Sequence, residues 1–226
     1  MLGVLVNFLA VIIGSLIGVL FKKGMSDRIL KPINNAVALA VVYIGISGLS
    51  KGENTLVLVI SMVLGTLIGT VLDLDARFEK FGVWVESKFS KQSDKGGFAE
   101  GFVSASLLFC VGAMAIVGSL QAGLMGDHET LITKAILDFV SSIVFASALG
   151  IGVMFSAFPV LIYQGVIAFS AQLVAPFLSD YVVGEMTCVG SLVILALGLN
   201  LLGITKFKIA NFLPGIFLPV ILCMFM

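Results

Sequence analysis

Apolar residues run from Met1 to Phe21 without one charged side chain, and the first charges are Lys22 and Lys23. At about 1.5 Å of helix rise per residue, a run of this length covers the roughly 30 Å hydrocarbon core of a bilayer. Within that layer the backbone has no water to bond, so the segment must satisfy its own N–H and C=O groups as a helix.

The pattern recurs along the chain. Apolar runs between charge clusters fall at 2–21, 33–50, 55–73, 98–120, 131–152, 157–178, 184–204 and 209–226. This spacing predicts an all-α fold, a polytopic transmembrane helical bundle of about eight spans. Only Gly150, Gly152, Ser156 and Pro159 separate the fifth run from the sixth, and no charge marks a turn there. A merged helix at that point would make the count seven. Composition agrees, because 12% of residues are charged, against roughly 25% in a soluble domain, and mean hydropathy is +1.17. The N-terminus lacks the basic segment of a secretory leader and reads as a retained first span. Cys110, Cys188 and Cys223 all lie in apolar runs without CxxC spacing, so no disulfide framework is implied.

Lysine and arginine bias short loops toward the cytoplasm. Lys22, Lys23, Arg28 and Lys31 follow the first span, Arg77, Lys80, Lys88, Lys91 and Lys95 the third, and Lys206 with Lys208 the seventh. The alternate loops hold Lys51, Asp127-His128-Glu129, Asp180 and Glu185. On eight spans both termini then face outward. From Ala76 to Lys91, Phe78, Phe81, Trp84, Val85 and Phe89 share one side of a helical wheel, opposite Glu79, Lys80 and Glu86. That pattern predicts an amphipathic helix in the cytoplasmic interface. Three parts follow: a three-span part at 1–75, the interfacial helix and linker at 76–97, and a five-span part at 98–226.

Gly14-Ser15-Leu16-Ile17-Gly18 in the first span echoes Gly65-Thr66-Leu67-Ile68-Gly69 in the third. Both are GxxxG patterns, in which absent side chains let helices touch. Gly14, Gly18, Gly65 and Gly69 are therefore helix-packing candidates, within one chain or between the subunits of a homo-oligomer. Leu5 to Leu9 also echoes Ile136 to Val140, which overlays the first span on the fifth as parallel repeats would.

The run from Phe109 to Gln121, the segment from Lys134 to Asp138, and Tyr163-Gln164-Gly165 resemble the bacterial membrane proteins of "domain of unknown function 554". The resemblance covers nearly the whole chain. It implies a bacterial inner-membrane protein and no settled substrate. The familiar form carries an acidic residue directly after Gly-Ser-Leu-Gln, where this chain has Ala122, so no role for that carboxylate transfers here.

Chemistry centres on Asp138, about 10 Å inside the fifth span at the helical rise per residue. An ionisable group at a span's centre costs about 2.5–3.5 kcal/mol or more, so it normally faces protein or water and marks function. Lys134 stands one turn earlier and offers a purely structural alternative, an i,i+4 pair whose lysine snorkels outward. Ser141 and Ser142 extend a polar stripe on the same face. Asn7, Ser47, Ser119, Gln121, Thr187 and Ser191 come to the same outer depth from other spans, while Gln164 and Asn200 supply amides near the inner half. Each of these alone also serves as helix glue. The substrate- or ion-binding candidates are Asp138, Asn7, Ser141, Ser142, Ser119, Gln121, Gln164 and Asn200. Pro214-Gly215 and Pro219 predict a broken last helix. His128, the only histidine, sits in an outer loop.

No GxSxG, HExxH or GxxxxGK[ST] motif is present, and no histidine lies in a span, so neither hydrolysis nor nucleotide use is expected. No catalytic residue, metal or cofactor is expected. Formal net charge is zero, which gives no nucleic-acid signature. The expected partners are the lipid bilayer and a small solute or ion. The expectation is a multi-pass transport protein, carrier or channel, for an ion or small solute, with a cation or a proton-coupled neutral solute favoured. The alternative is a non-transporting membrane scaffold.

Overall fold

The structure is a computed structural model that describes residues 1–23, 27–80, 97–111 and 113–225. The chain forms α1 (Leu2–Lys23), α2 (Asp27–Leu49), α3 (Thr55–Val71) and the helical stretch α4 (Leu74–Lys80). After the next described residue come α5 (Gly97–Cys110), α6 (Ala113–Leu124), α7 (Glu129–Leu149), α8 (Gly152–Phe155), α9 (Ala157–Phe169) and α10 (Ala171–Val174). A 3-10 turn at Ala175–Phe177 precedes α11 (Asp180–Leu201), and a 3-10 segment at Ile209–Ile216 leads into α12 (Leu218–Leu222). The described residues contain no strand. The fold is an all-α polytopic membrane bundle, as its apolar runs predict.

Five single helical stretches are long and apolar enough to cross a bilayer, and the count rises to seven if each of two bent pairs is one span. Those pairs are α3 with α4, bent by 53°, and α5 with α6, bent by 59°. The last apolar stretch, Ile209–Leu222, is shorter than a span. The expected fifth and sixth runs are separate helices, because Gly150 takes φ +84° and ends α7. The sixth stops at Phe169 rather than 178, since Ser170 closes it and Pro176 imposes a short 3-10 turn. α11 begins four residues before the run at 184–204, where Ser179 caps it by accepting from the Val182 N–H at 3.4 Å. The expected interfacial helix starts with α4, and its remainder, with the linker up to residue 96, lies outside the described residues.

Packing follows the small residues. On α1, Gly3, Val4, Asn7, Val11, Gly14, Ser15 and Gly18 are buried at helical spacing, while Leu2, Leu5, Leu9, Ile13, Leu16 and Leu20 are exposed. The exposed row is the lipid face expected of such a helix. Gly14 sits against the Phe139 carbonyl and Ser142 on α7, and Gly18 against the Ile143 carbonyl and Ala146. The matched order of these contacts makes α1 and α7 parallel. Gly45 and Gly48 of α2 meet Leu195 and Ser191 of α11, and Gly65 and Gly69 of α3 meet Gly215 and Asn211, both in antiparallel order. α11 is the central helix: 72% of its apolar window is buried, against 33% for α1. Each of the first three helices thus has its main partner in the 98–226 part, so the two parts interleave.

Candidate functional site

Local sequence places two charges on one face of α7. Lys134 and Asp138 are four residues apart, each is 6% exposed, and the Lys134 ammonium donates to the Asp138 carboxylate. Around the pair the bundle supplies one polar side chain from each of two other helices. Asn7 of α1 and Gln164 of α9 are both wholly buried, and the Asn7 amide donates to the Gln164 carbonyl oxygen at 3.3 Å. Asn7 also lies close to the Asp138 carboxylate. The Lys134 ammonium lies 5.9 Å from the centre of the Phe109 ring, at the end of α5. The site therefore sits where α1, α7 and α9 meet, beside the bend between α5 and α6.

Two polar atoms of this cluster, Asn7 Oδ1 and Gln164 Nε2, are buried without a partner among the described residues. One is an acceptor and the other a donor, and an unsatisfied buried group of this kind costs about 1–3 kcal/mol. The ion pair is also not the cheapest way to fill the space. Replacing such a pair with apolar side chains of similar volume is often neutral, whereas removing one partner costs about 3–5 kcal/mol. Stability alone does not call for this arrangement.

Of the sequence candidates, the structure brings together Asp138, Asn7 and Gln164. Gln164 was expected near the inner half, but α9 ends at Phe169 and delivers it to the depth of Asn7. Ser142 donates to the Phe139 carbonyl at 2.8 Å beneath Gly14 and is committed to the α1–α7 contact, while Ser141 is half-buried. Ser119 donates to the Ala115 carbonyl at 2.6 Å, and Gln121 accepts from the Thr130 hydroxyl at 2.7 Å, both from α6. Asn200 accepts from Thr205 and the Phe207 N–H and donates to the Phe207 carbonyl, which staples the loop after α11. Ser47 is exposed.

Glu185 was read as a loop charge and is instead a wholly buried residue of α11. One carboxylate oxygen accepts the N–H groups of Glu53 and Asn54, at 2.7 and 2.8 Å, at the start of α3, and the other has no protein partner. The signal that finds it is the Ser179-Asp180 helix start, which puts Glu185 in the second turn. Phe109 and Cys110 gave no such signal, because neither stands out in an apolar run.

A partly open cavity of about 200 Å³ runs along α5 from Phe102 to Cys110 and is lined also by Phe78, Tyr163, Leu213 and Phe217. Cys110 lines it and also lies within electrostatic range of Lys134 and Asp138.

Known proteins resemble the chain along nearly its whole length. The family described as "Protein of unknown function (DUF554)" matches residues 2–224. The chain is 36% identical over 223 residues to the uncharacterized membrane protein YdfK of Bacillus subtilis (strain 168), covering 97% of this chain and 94% of that one. It is 31% identical over 220 residues to the uncharacterized protein YqgA of Escherichia coli (strain K12), covering 96% and 94%. No solved structure matches. With its family model spanning nearly every residue and two full-length relatives alongside, this membrane protein belongs to the DUF554 family.

Proposed function

We propose that this protein is a carrier of the bacterial inner membrane that moves a cation, or a neutral solute coupled to protons, with Asp138 holding the charge. The observation that carries this reading is the buried Lys134–Asp138 pair, enclosed by an amide pair with an uncommitted acceptor and donor. Ionisable groups inside a membrane bundle are costly and mark solute or proton paths. The neighbouring bend between α5 and α6 supports the same reading, since interrupted helices border the sites of many transporters. A carrier is favoured over an open channel because Asn7 and Gln164 are wholly buried. The lysines that follow α1 and the third span support an outside N-terminus, which would put Asp138 in the outer half. No enzymatic step, cofactor or metal enters this reading, and its partners are lipid and the solute.

The test uses purified protein in liposomes carrying an entrapped pH dye, with sodium, potassium and choline gradients imposed in turn. Wild-type protein is expected to couple one of these gradients to proton movement. Asp138→Asn should lower that flux by about tenfold or more, the scale of losing a charge-assisted contact in a dry site. Asn7→Ala should lower it less. Variants are compared only at equal monodisperse yield. Wild-type flux in Asp138→Asn would refute the carrier role of this residue and leave the pair as a scaffold element.

A further inference from the structure

We propose that the solute is an organic ammonium ion with an apolar body, which places its ammonium on Asp138 in exchange for Lys134 and its body in the cavity along α5. The inference rests on the carrier reading of the Asp138 cluster and adds the class of solute.

The Lys134 side chain is itself an alkylammonium ion, and it shows what the site accepts. Its charge meets a carboxylate on one side and the Phe109 ring 5.9 Å away on another. Aromatic faces attract cations, most strongly where water is excluded. An ammonium carries three donors. Asp138 uses one, and the buried acceptor Asn7 Oδ1, without a partner among the described residues, is open to a second. A neutral body without an N–H would leave Asp138 unpaired once Lys134 moved away, and an anion would be repelled by it.

The cavity supplies the other half of the recognition. Its about 200 Å³ are bordered by the rings of Phe78, Phe102, Tyr163 and Phe217, and two of its lining residues, Cys110 and Tyr163, are the chain neighbours of Phe109 and Gln164 at the ion pair. Apolar walls with a few convergent polar groups are the usual form of a small-molecule site. Lys134 has somewhere to go when displaced. It lies in the second turn of α7, so its stem can turn toward the exposed carboxylates of Asp127 and Glu129 at the start of that helix.

The experiment measures thermal unfolding of the purified full-length chain, wild type and Lys134→Ala, with three probes: phenethylammonium chloride, 2-phenylethanol and ammonium chloride. Lys134→Ala should be destabilised. Phenethylammonium should restore its midpoint by about 5 °C or more at saturation, and should shift wild type less, because the tethered competitor is gone in the variant. The alcohol and the bare ammonium ion should each do much less. Adding Asp138→Asn to Lys134→Ala should abolish the shift. Equal rescue by the alcohol, equal rescue by ammonium chloride, or rescue that survives Asp138→Asn would each overturn the proposal.

A second readout needs no change at Lys134 or Asp138 and stands if those variants fail to fold. With Cys188 and Cys223 changed to serine, phenethylammonium should slow N-ethylmaleimide alkylation of Cys110 by about fivefold, as expected near four times its Kd, and 2-phenylethanol should not. Cys110 that alkylates at one rate with and without the amine sinks the proposal. Absence of amine binding alongside Asp138-dependent cation flux would remove the solute class and leave the carrier, whereas amine binding with no flux under an imposed phenethylammonium gradient would remove the carrier.

Discussion

Asp138 and Glu185 are both buried carboxylates, but their charges are met in different ways. Asp138 has a lysine one turn away, whereas Glu185 has two backbone N–H groups at the positive end of α3 and, among the described residues, no ion pair. Glu185 therefore holds the α2–α3 turn against α11. Glu185→Ala should cost about 2–4 kcal/mol, since hydrogen bonds to a charged group are worth about 1.5–3 kcal/mol each and two N–H groups lose their acceptor. Glu185→Gln keeps an acceptor there and should cost less than half as much, and SDS or thermal titration of the two variants separates them. Equal losses would show that the charge, not the acceptor, does the holding. Asp138 was legible in the sequence because an acidic residue inside an apolar run has no cheap explanation. Glu185 was not, because charges were used as markers of loops, and a carboxylate that reaches back to cap another helix breaks that rule. The meeting of Asn7 with Gln164 was also hidden, since the two lie 157 residues apart and only the packing of α1 on α7 and α9 joins them.

Among the elements, the contacts of glycine separate two kinds of position that look alike in sequence. Gly69 has the Asn211 carbonyl where a Cβ would lie, while Gly165 has nothing within 4 Å. Gly69→Ala should weaken the docking of α3 on the 3-10 segment by about 1–3 kcal/mol, the usual cost of overpacking. Gly165→Ala should be neutral or stabilising by up to about 1 kcal/mol through helix propensity. Thermal unfolding of both variants checks this, and a loss at Gly165 matching that at Gly69 would contradict the contacts described. The break in the last apolar run was readable from Pro214 and Pro219, because each proline removes a backbone donor. The bend between α5 and α6 was not, because the run at 98–120 contains no proline and its apolar character continues through the bend. At the other bend, Asn211 accepts the Asp75 N–H at 3.0 Å, so one side chain of the 3-10 segment holds the α3–α4 corner.

For the whole molecule, composition and run length sufficed for fold class, since a chain this apolar must put helices in lipid. Partner choice among helices was beyond that reading, because apolar runs of equal length carry no address. The echo of the first span in the fifth joins two helices that lie in parallel contact, through Gly14 and Gly18. Because α1, α2 and α3 each pack mainly on a helix of the 98–226 part, neither part buries its faces alone. Two coexpressed fragments divided after residue 95 should recover flux only together, and either fragment accumulating alone as stable protein would argue against the interleaving. The same interleaving sets an order of events during synthesis. At about 5–20 residues per second, roughly 8–30 s pass between the emergence of Asn7 and that of Gln164, residues 157 apart in the chain. Throughout that interval the Asn7 amide is without the Gln164 side chain that it pairs with in the finished fold. Variants of Asn7 should therefore change how much protein survives membrane quality control, separately from how well each surviving molecule works.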